Sequence, residues 1–230
     1  MEIVIPIIVL LVVAIGLYIL IKDQINNNSN KTQEQMELQL NSFVESFKLT
    51  SAEWQIWAYS TAAPAYIAAN ATVFDGPPDM GGNLLREGTN GWTCLPANPR
   101  GQSDPENGWV DAHEAMPLCG DAEVFKWIGA YFAGETPVMD KDGYAWMLHG
   151  DMGEDNTMAG VMSEEDSTPG EWIESGPHLM RMPKDPSSLD GMTTDFTSGA
   201  PYVMFGGTIY AHVMYPMAVY YDYQPESAPE

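Results

Sequence analysis

Residues 202–215 read YVMFGGTIYAHVMY, and this stretch decides the predicted fold. Two runs rich in Tyr, Val, Ile and Met, residues 202–205 and 208–215, flank the pair Gly206-Gly207. Runs of this length and composition favour β-strands, and a glycine pair between two of them is typical of a tight hairpin turn. The stretch therefore predicts two antiparallel strands joined by a short connection.

Three further runs of the same composition lie upstream, at residues 144–149, 172–174 and 178–182. Helical patterns come before them. The spacing of Thr50 and Glu53 resembles a capping box and predicts the start of a helix that buries Trp54, Ile56 and Trp57.

A second helix is predicted to begin after Asp121 and to run to about residue 132, with Gly134 as its stop signal. Helices followed by strands indicate an α+β fold, with helices packed on one face of a small antiparallel sheet.

Cys94 and Cys119 are the two cysteines of the chain, and they lie in a segment, residues 75–120, that is interrupted by many Gly and Pro residues. A disulfide here closes a loop whose crosslink stabilises the fold by roughly 3 kcal/mol on the chain-entropy model. Such a bond forms in an oxidising compartment. The alternative is a pair of buried free thiols. We expect the domain to be loop-rich and stapled by this disulfide.

The segment from residue 3 to residue 21 contains no charged residue. As a helix it would span roughly 28 Å, about the thickness of a hydrocarbon core, so residues 1–22 predict a transmembrane anchor in the lipid bilayer. A cleavable signal peptide is one alternative, although no basic start or cleavage site is present. A pilin-like helix that packs into a filament is another.

Residues 23–49 follow as a polar tether and an amphipathic helix, and residues 50–216 form the α+β domain. The helix carries an apolar stripe that can pack on its own domain or bind a neighbouring subunit; its members are Met36, Leu40, Phe43 and Phe47. Residues 217–230 read as an extended aromatic and acidic tail. Tyr is enriched in interfaces, so Tyr220, Tyr221 and Tyr223 are predicted interface residues.

The formal net charge is −23, from 9 Lys and Arg against 32 Asp and Glu. Such a charge opposes every phosphate contact, so we expect no nucleic-acid partner. The single Lys22 beside the apolar segment favours a cytoplasmic body by the positive-inside bias. The cysteine pair favours the extracytoplasmic side of the membrane. We therefore predict a membrane-anchored protein whose body is periplasmic or extracellular.

Three of the four histidines lie two residues from a methionine, as in His178-x-Met180 and His212-x-Met214. On a strand this spacing places both side chains on one face, and imidazole with thioether is a ligand set that suits copper. The sequence therefore predicts a copper site as one alternative; its ligands would be His149, His178, His212, Met180 and Met214. The other reading is that these methionines fill gaps in the core.

Acidic clusters suggest calcium as a second metal. Asp140 and Asp142 stand two residues apart, and Asp151, Glu154 and Asp155 follow closely. Carboxylates at such spacing can reach one hard cation, but the ligand pattern of an EF-hand is incomplete. The alternative is an acidic surface.

Known catalytic signatures are absent from the sequence. It contains no nucleophile elbow, no HExxH motif, no glycine-rich phosphate loop and no haem-attachment motif. Asp111 and Glu114 flank His113, but this spacing defines no triad. We predict a protein that is not an enzyme and that needs no cofactor other than the metals considered above.

Several short motifs resemble those of a group of uncharacterised exported bacterial proteins. They are GPHLM at 176–180, GAPYVM at 199–204, YAHVM at 210–214, NGWTC at 90–94 and AAPA at 62–65. The resemblance covers roughly residues 55–216 and implies export, but it brings no activity. Relatives usually carry cleaved leaders, so the long apolar start of this chain departs from the pattern.

Taken together, these features predict a non-catalytic accessory subunit that docks on a larger membrane protein complex. The anchor, the amphipathic helix and the aromatic tail are the observations behind this prediction. The alternatives are a periplasmic copper-binding protein and a filament subunit.

Overall fold

The computed structural model describes residues 49–104, 107–218 and 220. The chain divides into two units, Met1–Lys48 and Leu49–Glu230, and every described residue belongs to the second. The predicted anchor at 1–22 and the predicted amphipathic helix lie outside the described residues. Within the described part of the chain, no helix combines the length and the apolar character that crossing a membrane requires.

Three α-helices are present in the described ranges: α1 (Ala52–Ser60), α2 (Ala65–Ala68) and α3 (Ala122–Ala133). The cap of α1 is Ser51, whose hydroxyl accepts from the Trp54 N–H at 3.2 Å, and not the predicted Thr50. Pro64 separates α1 from α2, because its ring cannot continue a helix. α1 buries its last turn, whereas Trp57, which was expected in the core, is 53% exposed.

Helix α3 agrees with its predicted limits. Asp121 Oδ1 accepts from the N–H groups of Glu123 and Val124, both at 3.0 Å, and Gly134 ends the helix in the left-handed conformation at φ 68°. Val124 and Trp127 of this helix are buried. The helix therefore forms where its local capping signals specify.

Ten strands are present in the described residues. They are β1 (Thr72–Phe74), β2 (Leu84–Arg86), β3 (Thr93–Pro96), β4 (Pro117–Gly120), β5 (Gly143–Met147), β6 (Glu154–Asp155), β7 (Trp172–Ile173), β8 (His178–Met182), β9 (Tyr202–Met204) and β10 (His212–Pro216). Three short 3-10 turns, Pro78–Met80, Glu164–Asp166 and Pro186–Leu189, accompany them.

Eight of these strands form one sheet, in the order β2-β1-β3-β4-β5-β8-β10-β9, and β6 pairs with β7 separately. All neighbours in the large sheet are antiparallel except β1 and β3, which are parallel. The prediction of a small antiparallel sheet was wrong: the sheet is large and mixed. The sequence did not reveal the size of the sheet, because β1 to β4 have only three or four residues each. Strands this short show no periodic pattern among the Gly and Pro residues around them.

β9 and β10 pair as predicted, but a tight Gly206-Gly207 turn does not join them. Residues 205–211 form the connection, and Phe205 adopts a positive φ of 54°. Tyr210 leaves the strand direction to pack edge-on against Trp127 of α3, with ring centroids 5.9 Å apart. This packing against the helix replaces the expected start of the strand at residue 208.

The helices lie on both faces of the sheet, not on one. α3 packs on β4 and β5 over the larger core, and we call this side the α3 face. α1 packs on β1, β3 and β4 over a second core, and we call the opposite side the α1 face. Alternation of side chains along β4 and β5 supplies both cores: Leu118 and Ala145 belong to the larger one, and Cys119 and Trp146 to the second.

Helix α3 lies directly against two glycines of the sheet. A Cβ atom on Gly143 would come within 2.8 Å of the Val124 backbone nitrogen, and one on Gly120 within 2.9 Å of Val124 Cγ1. The absence of these two side chains sets how closely α3 approaches β4 and β5.

Candidate functional site

The disulfide prediction is confirmed. Cys94 and Cys119 form a bond that closes a sequence separation of 25 residues. They are directly opposite each other on β3 and β4, and both are fully buried beneath α1. The bond therefore links two neighbouring strands of the sheet, whereas the sequence predicted that it closes an irregular loop.

Four of the five predicted copper ligands lie on the α3 face of two neighbouring strands. Met180 of β8 is directly opposite Met214 of β10, and both belong to the larger core. His178 and His212 share this face, because each precedes its methionine by two residues along the strand. All four side chains are at most 7% exposed.

Both histidines are held in one tautomer by a backbone carbonyl. His178 Nδ1 lies 2.7 Å from the Gly176 carbonyl oxygen, and His212 Nδ1 lies 3.0 Å from that of Tyr210. A carbonyl only accepts, so each Nδ1 carries the proton and each Nε2 presents a lone pair. Burial lowers the pKa of His178, and burial lowers the pKa of His212 to about 4. Both imidazoles are therefore neutral at physiological pH.

His149, the fifth predicted ligand, lies elsewhere. β5 ends at Met147, and the Gly150 N–H donates to the Met147 carbonyl at 3.0 Å, so the chain turns before His149. Its Nε2 lies 2.7 Å from Thr61 Oγ1, and its ring is 6.1 Å from that of Trp57. His149 belongs to the surroundings of α1 and is separate from the pair on the α3 face.

A buried polar network adjoins His178, and the sequence did not predict it. The hydroxyls of Tyr202 and Tyr220 are 2.6 Å apart, and the Tyr220 hydroxyl donates to Ser175 Oγ at 3.3 Å. The Ser175 N–H donates to Asp151 Oδ1 at 2.9 Å. Burial, reinforced by Tyr220 and Asp151, raises the pKa of Tyr202 well above its ordinary value. Only the tertiary fold unites residues this far apart in sequence.

The acidic residues proposed for calcium are occupied by protein donors. Asp140 Oδ2 accepts from Lys126 Nζ at 2.7 Å, and Asp142 Oδ1 accepts from the Lys184 N–H at 2.9 Å. Asp151 accepts from backbone N–H groups, and Asp155 accepts from Thr157, Met158 and Thr168. In the part of the chain that the structure describes, no three His, Cys, Asp or Glu side chains form a group that could hold a metal.

Glu154 differs from these neighbours. Burial and the charge of Asp151 raise the pKa of Glu154 to about 8, and the guanidinium of Arg100 opposes this increase. Arg100 holds the surrounding loop by donating to the carbonyls of Gly153 and Met162, and it stacks 5.4 Å from the Trp172 ring. Glu154 is therefore protonated at neutral pH within a loop that Arg100 fixes.

The α1 face carries a strip of half-buried and exposed side chains between its two packed regions. α1 covers one side of the strip, and the turn Pro186–Leu189 packs on β10 at the other. Cross-strand neighbours form it, with Tyr144 opposite Arg181 and with Leu179 between Trp146 and Tyr215. We call these five residues the aromatic strip. Tyr144 is 39% exposed, and Arg181 Nη1 lies 3.6 Å from Asp142 Oδ2.

The predicted interface residues are placed only in part. Tyr220 is 1% exposed and contributes to the core through Tyr202, so it does not belong to a free tail. The others lie outside the described residues: Met36, Leu40, Phe43, Phe47, Tyr221 and Tyr223.

Comparisons with known proteins add no further assignment. The chain matches no protein-family model, no curated protein and no solved structure. The resemblance to uncharacterised exported proteins therefore stays a prediction, and the function has to be inferred from the geometry of the chain itself.

Proposed function

We propose that this protein is a non-catalytic accessory protein that is attached to a membrane, has an extracytoplasmic domain, and binds a larger membrane protein complex. The apolar segment at residues 3–21 supports the membrane attachment. The Cys94–Cys119 disulfide supports the extracytoplasmic side, because such bonds persist in oxidising compartments.

The aromatic strip is the observation that carries the proposal. Sheet faces normally bury their large side chains under another layer, yet Tyr144, Trp146 and Leu179 retain exposure between α1 and the turn Pro186–Leu189. Aromatic residues and Arg are enriched at protein interfaces. Arg181, directly opposite Tyr144, adds a half-buried guanidinium whose Nη1 lies 3.6 Å from Asp142 Oδ2.

The partner surface that fits this strip is apolar at its centre. Tyr144, Trp146 and Leu179 would bury their exposed area against it. The chain carries a net charge of −23, so basic side chains at the rim of the partner surface would complement it electrostatically.

Site-specific photo-cross-linking in mild detergent tests the proposal. A benzophenone amino acid replaces Tyr144 in the full chain, and the matched control replaces Phe132 of α3, which is 63% exposed on the opposite side of the sheet. We expect a discrete adduct with one other membrane protein from the Tyr144 position and none from Phe132. Equal labelling from both positions, or a monomer with no adduct, would contradict the proposal.

A further inference from the structure

Exposed methionines are concentrated in one part of the domain. The seven methionines of the larger core are at most 7% exposed, so the core shields their sulfur atoms from solvent. Five others among the described residues are at least 38% exposed: Met80, Met152, Met158, Met162 and Met192. Three of these, at positions 152, 158 and 162, lie between β5 and β7. Exposed thioethers are the ones that dissolved oxidants reach first.

Met152 differs from the other two because a hydrogen-bond donor lies beside its sulfur atom. Asn98 Nδ2 is 3.9 Å from Met152 Sδ. A thioether is only a weak acceptor, so this contact adds little to the stability of the reduced protein. Met158 and Met162 form their hydrogen bonds in the described part of the chain through backbone atoms instead.

The Asn98 amide is fixed in the orientation that presents this donor. Its Oδ1 accepts from the Arg100 N–H at 2.9 Å, and its Nδ2 donates one proton to the Glu114 carbonyl oxygen at 2.6 Å. These bonds define which amide atom is the nitrogen, because a backbone N–H only donates and a carbonyl only accepts. The second proton of Nδ2 is therefore available to Met152.

The backbone on both sides of Met152 is held as well. The Asp151 N–H donates to the Ser175 carbonyl at 2.8 Å, and the Gly153 N–H donates to Asp151 Oδ1 at 3.0 Å. Arg100 also donates to the Gly153 carbonyl. Asp151 and Gly153 are buried, so Met152 projects from a fixed backbone beside an equally fixed donor. A site ordered in advance loses little entropy when the donor binds an added oxygen atom.

We propose that Met152 is a site of reversible oxidation by hydrogen peroxide, and that Asn98 Nδ2 binds the sulfoxide oxygen. One oxygen atom passes from the peroxide to Met152 Sδ: an S–O bond forms, the O–O bond breaks, and water leaves with both protons of the peroxide. The thioether is oxidised and the peroxide is reduced. Methionine sulfoxide reductases reverse the modification. The inference does not depend on the accessory function proposed above.

The sulfoxide improves a contact that the thioether makes poorly. Its oxygen lies one bond length beyond the sulfur, so the Asn98–Met152 contact becomes an N–H···O bond of ordinary length, about 2.7–3.2 Å. Oxidation therefore strengthens the link between the turn that carries Asn98 and the loop that carries Met152. A sulfoxide in a packed core has the opposite effect, because it places a polar group among apolar side chains.

Paired substitutions test the binding of the oxygen atom without any oxidant. Glutamine places a carbonyl oxygen where the sulfoxide carries its own, whereas leucine keeps the position apolar. In the full-length chain in mild detergent, M152Q should melt about 2–4 °C above M152L, because only glutamine accepts from Asn98. The matched controls M158Q and M158L should differ by less than about 1 °C. A melting temperature of M152Q equal to or below that of M152L would overturn the proposal.

Asn98→Ala connects the effect to its donor. In the N98A background, the difference in melting temperature between M152Q and M152L should shrink to the difference measured at Met158. A difference that persists without the Asn98 side chain would contradict Asn98 as the partner. Circular dichroism confirms that each variant is folded.

Peptide mass spectrometry measures the oxidation itself, after the full-length chain is treated with limiting hydrogen peroxide. Met152 should gain one oxygen atom, and Met139, which is 6% exposed in the larger core, should remain unmodified. The variant M80L/M158L/M162L/M192L keeps Met152 as the exposed methionine of the described ranges. Its oxidation should raise the melting temperature, and methionine sulfoxide reductases A and B together should restore the starting mass and melting temperature. An unmodified Met152, or an oxidised form that melts at a lower temperature, would refute the assignment.

Discussion

The pKa values of two adjacent carboxyl groups of β6, those of Glu154 and Asp155, are shifted in opposite directions. Burial opposes ionisation of Asp155, but donors from Thr168, Thr157 and Met158 overcome it and lower the pKa of Asp155 to about 2. Glu154 has no such set of donors, and burial raises the pKa of Glu154 to about 8. At the residue scale, hydrogen-bond donors decide which of two neighbours carries the charge.

Replacing Glu154 by Gln should remove a pH dependence of stability. The folded state keeps a proton on Glu154 up to about pH 8, whereas the unfolded chain releases it near 4.5, so wild-type stability falls as pH rises through this window. Each unit of pH in this window lowers the free energy of unfolding by at most about 1.4 kcal/mol. E154Q should lose this dependence, which urea unfolding between pH 6.5 and 8 measures.

Comparing wild type with E154Q at each pH isolates Glu154 from the buried histidines. His149, His178 and His212 have lowered pKa values, so they increase stability as pH rises through about 6.5, and they do so equally in both proteins. Glu164→Gln, at an exposed position of the Glu164–Asp166 turn, is the control and should behave like the wild type. Parallel curves for wild type and E154Q would disprove the assignment.

At the element scale, the contact of α3 with the sheet depends on a glycine. Gly143→Ala would place a Cβ 2.8 Å from the Val124 nitrogen, so helix or strand must shift, at a cost of about 1–3 kcal/mol. Gly129→Ala in the same helix has open space around it and should instead stabilise by about 0.5–1 kcal/mol through helix propensity. Urea denaturation compares the two variants, and a stable G143A would refute this account of the packing.

The sequence predicted those elements whose signals are local. Capping by Asp121 and Gly134 defined α3, and the composition of residues 178–182 predicted β8 at its observed limits. Alternation also predicted that His178 and Met180 share a face. His149 failed this test because β5 ends two residues earlier, at a turn that the composition did not reveal.

The remaining features depend on contacts distant in sequence. The strands β1 to β4 are stabilised by their neighbours in the sheet, so three or four residues of each carry too little local information. The hydroxyl network of Tyr202, Tyr220 and Ser175 joins three separate segments, and no spacing rule connects them. The division of the helices between both faces likewise depends on packing against strands distant in sequence.

At the scale of the whole molecule, the net charge of −23 opposes compaction. Raising NaCl from about 0.02 to 0.5 M shortens the Debye length and screens this repulsion. We expect the melting temperature to rise by about 2–4 °C, equivalent to about 1 kcal/mol for a chain of this size. Thermal scans by circular dichroism measure the shift. A constant or falling melting temperature would show that repulsion does not limit stability.

The large sheet has two parts: β1 to β5 come earlier in the chain, and β8 to β10 come later. The pairing of β5 with β8 joins the two parts. Five residue pairs form this junction, although some thirty positions of sequence, including the exposed residues 157–160, run between the two strands. Cleaving the backbone at residue 160 would leave two fragments that share two strand pairs, β5 with β8 and β6 with β7. The domain is thus suited to reconstitution from separately expressed pieces, whose reassembly requires both pairs to form again.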